Sequence, residues 1–206
     1  MSKIFDLFII GGGINGAGIA RDAAGRGLSV CLADKGEIGG ATSSWSTKLI
    51  HGGLRYLENY EFKLVRESLI EREIVYQIAK PISRPIPFII PYSDKIRPAW
   101  LIKIGLFLYD NLGGKSNIQK SKTLDLRKKF PNILQEKYKT GFQYFDIQID
   151  DKKLTKLNIK DAKRNKAKIF EYNKVKKVEI INKKWILHLQ NGKKIESRVL
   201  INASGP

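Results

Sequence analysis

Gly11-Gly12-Gly13-Ile14-Asn15-Gly16 sets glycines at the first, third and sixth positions of a six-residue run, and Asp34 follows 23 residues after the first of them. Each glycine answers a physical need. Gly11 allows a tight turn, Gly13 lets the backbone come close to a bound pyrophosphate, and Gly16 lets a following helix pack near the preceding strand. Gly12 and Asn15 complete the loop and the first helical turn. The N–H groups and positive end of that helix attract phosphate charge. A carboxylate at Asp34 accepts hydrogen bonds from a ribose and disfavours a 2′-phosphate. The pattern points to dinucleotide binding over a purely structural glycine turn, and it leaves FAD and NAD both open.

Those residues work only if the surrounding elements present them. Asp6 to Ile10 is apolar on both faces, as buried parallel strands are, and ends at the glycines. Ile14 to Arg26 is rich in alanine and reads as a helix stopped by Gly27, and Leu28 to Ala33 reads as a second buried strand. Strand, glycine turn, helix and strand make a βαβ unit of a parallel sheet. After a polar, glycine-rich stretch to Tyr60, Glu61 to Lys80 reads as an amphipathic helix with Phe62, Val65, Leu69, Ile70 and Ile74 inward. Pro81, Pro85, Pro87 and Pro91 limit Phe88 to Ile90 to an edge strand.

Further along, Pro98 to Leu112 is a helix apolar nearly all round, suited to a protein core or to lipid contact. Ser121 to Phe130 reads as a short helix, Gly141 to Ile149 as a strand, and Asp150 as the cap of a helix running to about Lys166. Short strands follow over 168–172, 174–181 and 184–190. Asn191-Gly192 is a hairpin turn leading into a strand over 194–203.

Composition narrows the class. The 206 residues are 42% hydrophobic and 28% charged, which excludes wholesale disorder. One cysteine excludes a disulfide framework, and with two histidines no structural zinc site of usual spacing forms, so no metal is expected. Cys31 falls in a buried strand and reads as core packing; His188 reads as an exposed strand residue. No segment approaches the ~20 apolar residues of a spanning helix, and the expected location is the cytosol, with membrane contact from that side.

The net charge of +18 is lopsided: residues 115–206 hold 24 Lys and Arg against 9 Asp and Glu. The excess is lysine with few aromatics between, and arginine forks are scarce there. This favours a solvated surface, an anionic membrane or an anionic substrate over nucleic acid.

Ala41-Thr-Ser-Ser-Trp-Ser-Thr-Lys-Leu-Ile-His-Gly-Gly-Leu-Arg-Tyr-Leu-Glu58 resembles a signature of the FAD-dependent glycerol-3-phosphate dehydrogenases, as does Gly11 to Val30. The run from Ile96 to Asp110 is similar to a segment of the aerobic, quinone-linked bacterial enzymes, and Asp150-Asp151 and Asn202 to Pro206 match further landmarks. The resemblance implies an α/β, Rossmann-like FAD-binding fold of the glutathione-reductase and D-amino-acid-oxidase type. It implies a FAD-binding portion over 1–80, an inserted cap and membrane-proximal segment over 81–140, and a return to the FAD-binding domain over 141–206. Family members are more than twice as long, so the chain reads as an N-terminal fragment, incomplete in fold and inactive alone.

The implied reaction oxidises sn-glycerol 3-phosphate to dihydroxyacetone phosphate and passes electrons to a membrane quinone, with the protein peripheral on the cytoplasmic face of the inner membrane. A homodimer is compatible with the longer protein. Gly11, Gly12, Gly13, Asn15, Gly16 and Asp34 would hold the ADP half of FAD. Ser43, Ser44, Lys48, Leu49, His51 and Gly52 would line the ribityl chain and flavin. Val175 would offer backbone to the adenine, and Ala203 and Gly205 would form a second pyrophosphate turn. Arg55 and Tyr56 would face the substrate, as a guanidinium fork suits a phosphate dianion and a phenol orients a hydroxyl. The general base is expected outside this chain, with His51 as the candidate within it.

Three residues depart from the family pattern: Asp34 stands in place of glutamate, Trp45 in place of a small residue, and Ser204 in place of threonine. The alternative function is a non-catalytic FAD-binding remnant or a basic binding module.

Overall fold

The computed structural model describes residues 4–40, 46–93, 95, 97–131 and 137–205. They fall into two compact units, residues 1–48 with 150–206 and residues 49–149. The first unit opens with β1 (Ile4–Ile10), α1 (Ile14–Gly25) and β2 (Val30–Ala33). The second holds β3 (Leu49–Ile50), a 3₁₀ turn (Leu54–Asn59), α2 (Phe62–Ile78), β4 (Ser83–Pro91), α3 (Ala99–Asn111), β5 (Lys122–Asp125), α4 (Leu126–Lys129) and β6 (Thr140–Ile149). The chain then re-enters the first unit as α5 (Asp151–Arg164), β7 (Lys168–Phe170), β8 (Val175–Ile181), β9 (Lys184–Leu189) and β10 (Lys194–Asn202).

In the first unit six strands lie in the order β7-β2-β1-β10-β9-β8. The first four are mutually parallel, and β10, β9 and β8 pair antiparallel. Side chains of β1 leave the sheet on opposite faces, as the strand pleat requires. Leu7 and Ile9 pack with Ala17, Ala20 and Ala24 of α1 and Ile159 and Ala162 of α5, while Phe8 packs with Cys31, Leu187 and Leu189. The alanines let two helices lie close to one sheet face. Gly27, at φ +87°, stops α1, and its N–H bonds the Ala24 carbonyl. Strand β2 starts at Val30 and not at Leu28, which is 45% exposed. Ser29 is drawn to Asp6 instead, donating to its carboxylate from both N–H and hydroxyl. The Asp150 side chain accepts from the Lys153 N–H and caps α5, a bond worth about 1 kcal/mol.

The second unit carries an antiparallel sheet in the order β3-β6-β4, with β5 also paired to β6. Strand β4 is an edge strand, and it is longer than Phe88 to Ile90. Pro85, Pro87 and Pro91 fall on alternate residues, so their missing N–H groups share the side away from β6. Residues 121–130 are not one helix: 122–125 are drawn out to pair with 140–143 of β6, and Asp125 caps the single turn that follows. Sheet pairing here overrides local helix preference.

Helix α2 buries Val65, Leu69 and Arg72, whereas Phe62 and Ile74 are 40% and 47% exposed. Arg72 lies on the inward stripe with Val65 and Leu69 because it meets the buried carboxylate of Asp146. Helix α3 buries only Leu106 and Tyr109; Trp100, Leu101, Ile104 and Phe107 are exposed. Core burial of this helix is therefore not met in the described residues, none of whose helices is long and apolar enough to cross a membrane. The unit edges, 48/49 and 149/150, differ from the 80/81 and 140/141 boundaries read in the sequence, because β3, α2 and β6 share the sheet and core of the inserted segment.

The loop after β2 is tied to α5 by Glu37, whose carboxylate takes Lys156 Nζ at 2.6 Å and Lys152 Nζ at 2.8 Å. These bonds hold its carboxyl at about 2, against an ordinary 4.5. A carboxyl more acidic in the folded than the unfolded state contributes fully above 4.5, and the contribution is lost as pH falls towards 2. Glu37→Gln is therefore expected to lower the urea midpoint at neutral pH, with the gap to wild type closing on acidification through that window. The gap should also narrow in about 1 M salt, since the pair is half-exposed. A gap independent of both would remove this role.

Candidate functional site

The glycine loop is built by close backbone contact. Gly11 adopts φ +104°, and its N–H bonds the Ala33 carbonyl at 2.9 Å. A Cβ there would lie 2.3 Å from the Ala203 carbonyl oxygen, and one on Gly16 would lie 2.0 Å from the Gly11 oxygen. Both glycines therefore do what their spacing predicts. Gly12 has a further role: its Cβ position is filled by Ile38 Cδ1, 2.2 Å away. Gly13 is the N-cap of α1 in extended conformation, with no side-chain cap and no acidic residue in the first turn. Asn15 is exposed on that turn.

Asp34, where a ribose contact is expected, ties the loop itself together. Its Oδ2 accepts from the Gly12 N–H at 2.6 Å and its Oδ1 from the Gly36 N–H at 2.7 Å. One carboxylate thus joins the glycine loop to the turn after β2. A carboxylate offers about four acceptor positions, so two remain for hydroxyl groups. The Asp34 carbonyl accepts from the Asn173 N–H, bringing the approach to β8, and so Val175, to the same end of the sheet.

Ala203 is anchored by its N–H to the Ile10 carbonyl at 2.8 Å, and Gly205 turns the chain at φ +78°. Lys48 is exposed at φ +56°, its N–H bonded to Ser46 Oγ. Ser43, Ser44 and Trp45 lie outside the described residues. Cys31 is fully buried, and burial pushes its thiol up to about 12, so it is unreactive packing. His188 is half-buried and not simply exposed: its Nε2 lies 2.7 Å from Glu179 Oε2 on the neighbouring strand.

In the second unit, β3 pairs with β6 and leads into His51 and two glycines. A Cβ on Gly52 would meet Leu69 Cδ2 at 2.2 Å, and Gly53 needs φ +72° to begin the 3₁₀ turn. That turn holds Arg55 and Tyr56, both exposed, at the wall of a cleft of about 1210 Å³. His51, Glu58, Tyr144 and Asp146 line the same cleft, with apolar side chains from β4 and α3. Arg97 grips Glu58 through both nitrogens, Nη2 to Oε2 at 2.7 Å, and its partner nitrogen with Oε1. This hydrogen bonding holds the Glu58 carboxyl below its ordinary range, with Arg55 adding to the effect.

The family resemblance names His51, Arg55 and Tyr56, which line one cleft, and does not name Arg72, Tyr109 or Asp146. The only local signal for these is a polar residue breaking the apolar run of a strand or helix.

Parallel strands, a glycine turn entering a helix, and a carboxylate closing the second strand define a dinucleotide-binding protein of the Rossmann type. The chain belongs to the FAD dependent oxidoreductase (DAO) family, whose model matches residues 6–206. It is 47% identical over 207 residues to the D-erythritol 1-phosphate dehydrogenase of Brucella abortus, covering 98% of this chain and 41% of that protein. It is 45% identical over 206 residues to the aerobic glycerol-3-phosphate dehydrogenase of Escherichia coli, with the same coverage of each. Among solved structures it matches the glycerol-3-phosphate dehydrogenase of Bacillus halodurans complexed with FAD, at TM-score 0.71 and 27% identity, over 99% of this chain and 35% of that one. The chain thus spans about 40% of the length of these curated relatives.

The residues present fit the ADP half of FAD: a loop with no room for side chains, a helix whose N-cap, Gly13, brings no side chain of its own, and a carboxylate with acceptor capacity left over. Gly11→Ala forces a Cβ onto backbone at positive φ and is expected to cost more than about 1 kcal/mol of stability. It should also reduce FAD uptake, read from flavin fluorescence quenching, by at least about tenfold. Gly18→Ala, where a Cβ meets nothing within 4 Å, should leave uptake unchanged and stabilise α1 by up to about 1 kcal/mol. Equal FAD affinity in the two variants would refute this placement.

Proposed function

We propose that the chain binds FAD and forms the substrate-facing part of a dehydrogenase that oxidises sn-glycerol 3-phosphate to dihydroxyacetone phosphate. The observation that carries this reading is the 3₁₀ turn that presents Arg55 and Tyr56 beside His51 in one cleft, in a chain 43% and 45% identical to two glycerol-3-phosphate dehydrogenases. FAD, when bound, supplies the acceptor for the hydride leaving the carbinol carbon. Gly11 to Gly16 and Asp34 hold its ADP half, with Val175, Ala203 and Gly205 along the same strand ends. Lys48, Leu49, His51 and Gly52 serve the ribityl chain and flavin. Arg55 grips the phosphate dianion with two parallel N–H donors, and Tyr56 orients the substrate hydroxyl. His51 is the candidate in this chain to hold the hydroxyl proton.

The second reading is a longer phosphorylated polyol, favoured by the 47% identity to the D-erythritol 1-phosphate dehydrogenase. It keeps the same phosphate grip and the same secondary alcohol chemistry. Visible absorption of the FAD-loaded chain under anaerobic conditions separates these readings. The chain alone is expected to be inactive, so binding is read: perturbation of the flavin spectrum by glycerol 3-phosphate at concentrations at least about tenfold lower than by D-erythritol 1-phosphate is expected from the first. The reverse order supports the second, and a spectrum unmoved by both would leave a cofactor-binding module.

We further propose that electrons pass to a membrane quinone, and that the protein sits peripherally on the cytoplasmic face of the membrane. The support is the exposed apolar face of α3, with Trp100 62% and Phe107 66% exposed, together with the lysine excess. Co-sedimentation with vesicles should rise with anionic lipid content and fall in the Trp100→Ser, Phe107→Ser double variant. Sedimentation indifferent to both changes would rule this out.

A further inference from the structure

Beneath the cleft of the second unit lies a buried polar network that the proposed reaction does not use. Tyr109 on α3 is 2% exposed, Asp146 on β6 is 4% and Arg72 on α2 is 5%. The Gly52 N–H donates to Tyr109 Oη at 2.7 Å, and the Tyr109 hydroxyl donates to Asp146 Oδ1 at 2.7 Å. Arg72 Nη1 donates to the same Oδ1 at 2.8 Å and to the Phe145 carbonyl at 3.1 Å. The guanidinium also lies over the Tyr109 ring, 5.3 Å from its centroid.

Burying this ion pair is costly for its size. Desolvation opposes the attraction of the two charges, and Arg72 Nε is buried with no partner among the described residues. A hydrophobic filling would hold the sheet to the helices as well. What the network does that hydrophobic packing cannot is hold one backbone amide at a defined place. Burial and the adjacent carboxylate raise the Tyr109 phenol far above its usual range, so the hydroxyl stays protonated and its direction of donation is fixed. The amide it receives belongs to Gly52, the residue after His51 and three before Arg55.

We propose that Tyr109 is a positioning residue: its hydroxyl, oriented by Asp146 and Arg72, fixes the Gly52 amide and thereby the entry of His51, Arg55 and Tyr56 into the cleft. The functional half of this proposal rests on the reading of the cleft as a polyol phosphate site. Its geometric half does not. The steric fit at Gly52 is consistent with it, since a Cβ there would also press on Tyr109 Cε2 at 2.9 Å.

Tyr109→Phe removes one oxygen and keeps the ring. Amide hydrogen exchange of the full chain is expected to show Gly52 exchanging at least about tenfold faster in this variant, with β6 and α2 protection retained. Gly52 exchange within about twofold of wild type would overturn the proposal. Glycerol 3-phosphate affinity, read by ³¹P NMR, supplies the second arm. Tyr109→Phe and Arg55→Ala should each weaken binding about tenfold and the double variant no further, because one residue acts through the other. A double loss of about a hundredfold would make Tyr109 independent of Arg55 and overturn the positioning role.

A wild-type chain that does not bind glycerol 3-phosphate would overturn the proposed function, and the exchange result would still decide the geometry. Should Tyr109→Phe fail to fold, the wild-type chain answers directly. A slowly exchanging Tyr109 hydroxyl proton with a nuclear Overhauser contact to the Gly52 amide is expected, and its absence overturns the proposal.

Discussion

Between the ends of β1 and β10 there is no space for a side-chain atom. The 2.3 Å between an imagined Cβ on Gly11 and the Ala203 oxygen means that residues 192 positions apart must meet backbone to backbone. The sheet order β2-β1-β10 follows from that approach, since β1 can lie between a neighbour close in sequence and one at the far end only if their exits converge. Convergence puts the glycine loop, the start of α1 and the turn at Gly205 at one edge of the sheet. Asp34 completes the arrangement by spending one carboxylate on two backbone amides. The shape of this edge is therefore a property of packed main chain, and side-chain identity matters mostly where a side chain must be absent.

The two units use charge in different ways. Glu37 with Lys152 and Lys156 is half-exposed, and solvent and salt weaken such pairs. It trims the position of a loop. Arg72 with Asp146 has each side chain 6% exposed, where attraction and desolvation are both large and nearly cancel. Such a pair contributes little net stability but strongly penalises its own disruption. That makes it suited to holding a segment at one geometry, and the segment it holds through Tyr109 bears the arginine and tyrosine that face the cleft.

The extents of α1, α2, α3 and α5 lie close to those read in the sequence, but which side chains are buried departs from it where a polar or exposed residue takes part. The inward stripe of α2 includes Arg72 and omits Phe62 and Ile74. On α3 an apolar composition led to only two buried side chains. Residues 122–125 have the local preferences of a helix but pair with β6, because several ladder hydrogen bonds outweigh propensities of a few tenths of a kcal/mol per residue. In each case the deciding partner lies far along the chain, in β6 above all.

The loop of glycines, the helix that follows it and the carboxylate 23 residues on are legible in the amino-acid order, because a turn's steric demand and a strand's length act over a few residues. Strand β3 and the 3₁₀ turn that carries Arg55 and Tyr56 are not, since 34–60 reads only as a polar, glycine-rich stretch. The remaining features arose only on folding. Gly12 and Asp34 meet across 22 residues, Gly52 and Tyr109 across 57, and Arg72 and Asp146 across 74. No periodicity records such pairs, since a buried charge is stabilised by whichever group the tertiary packing brings to it, and that group can stand anywhere in the chain.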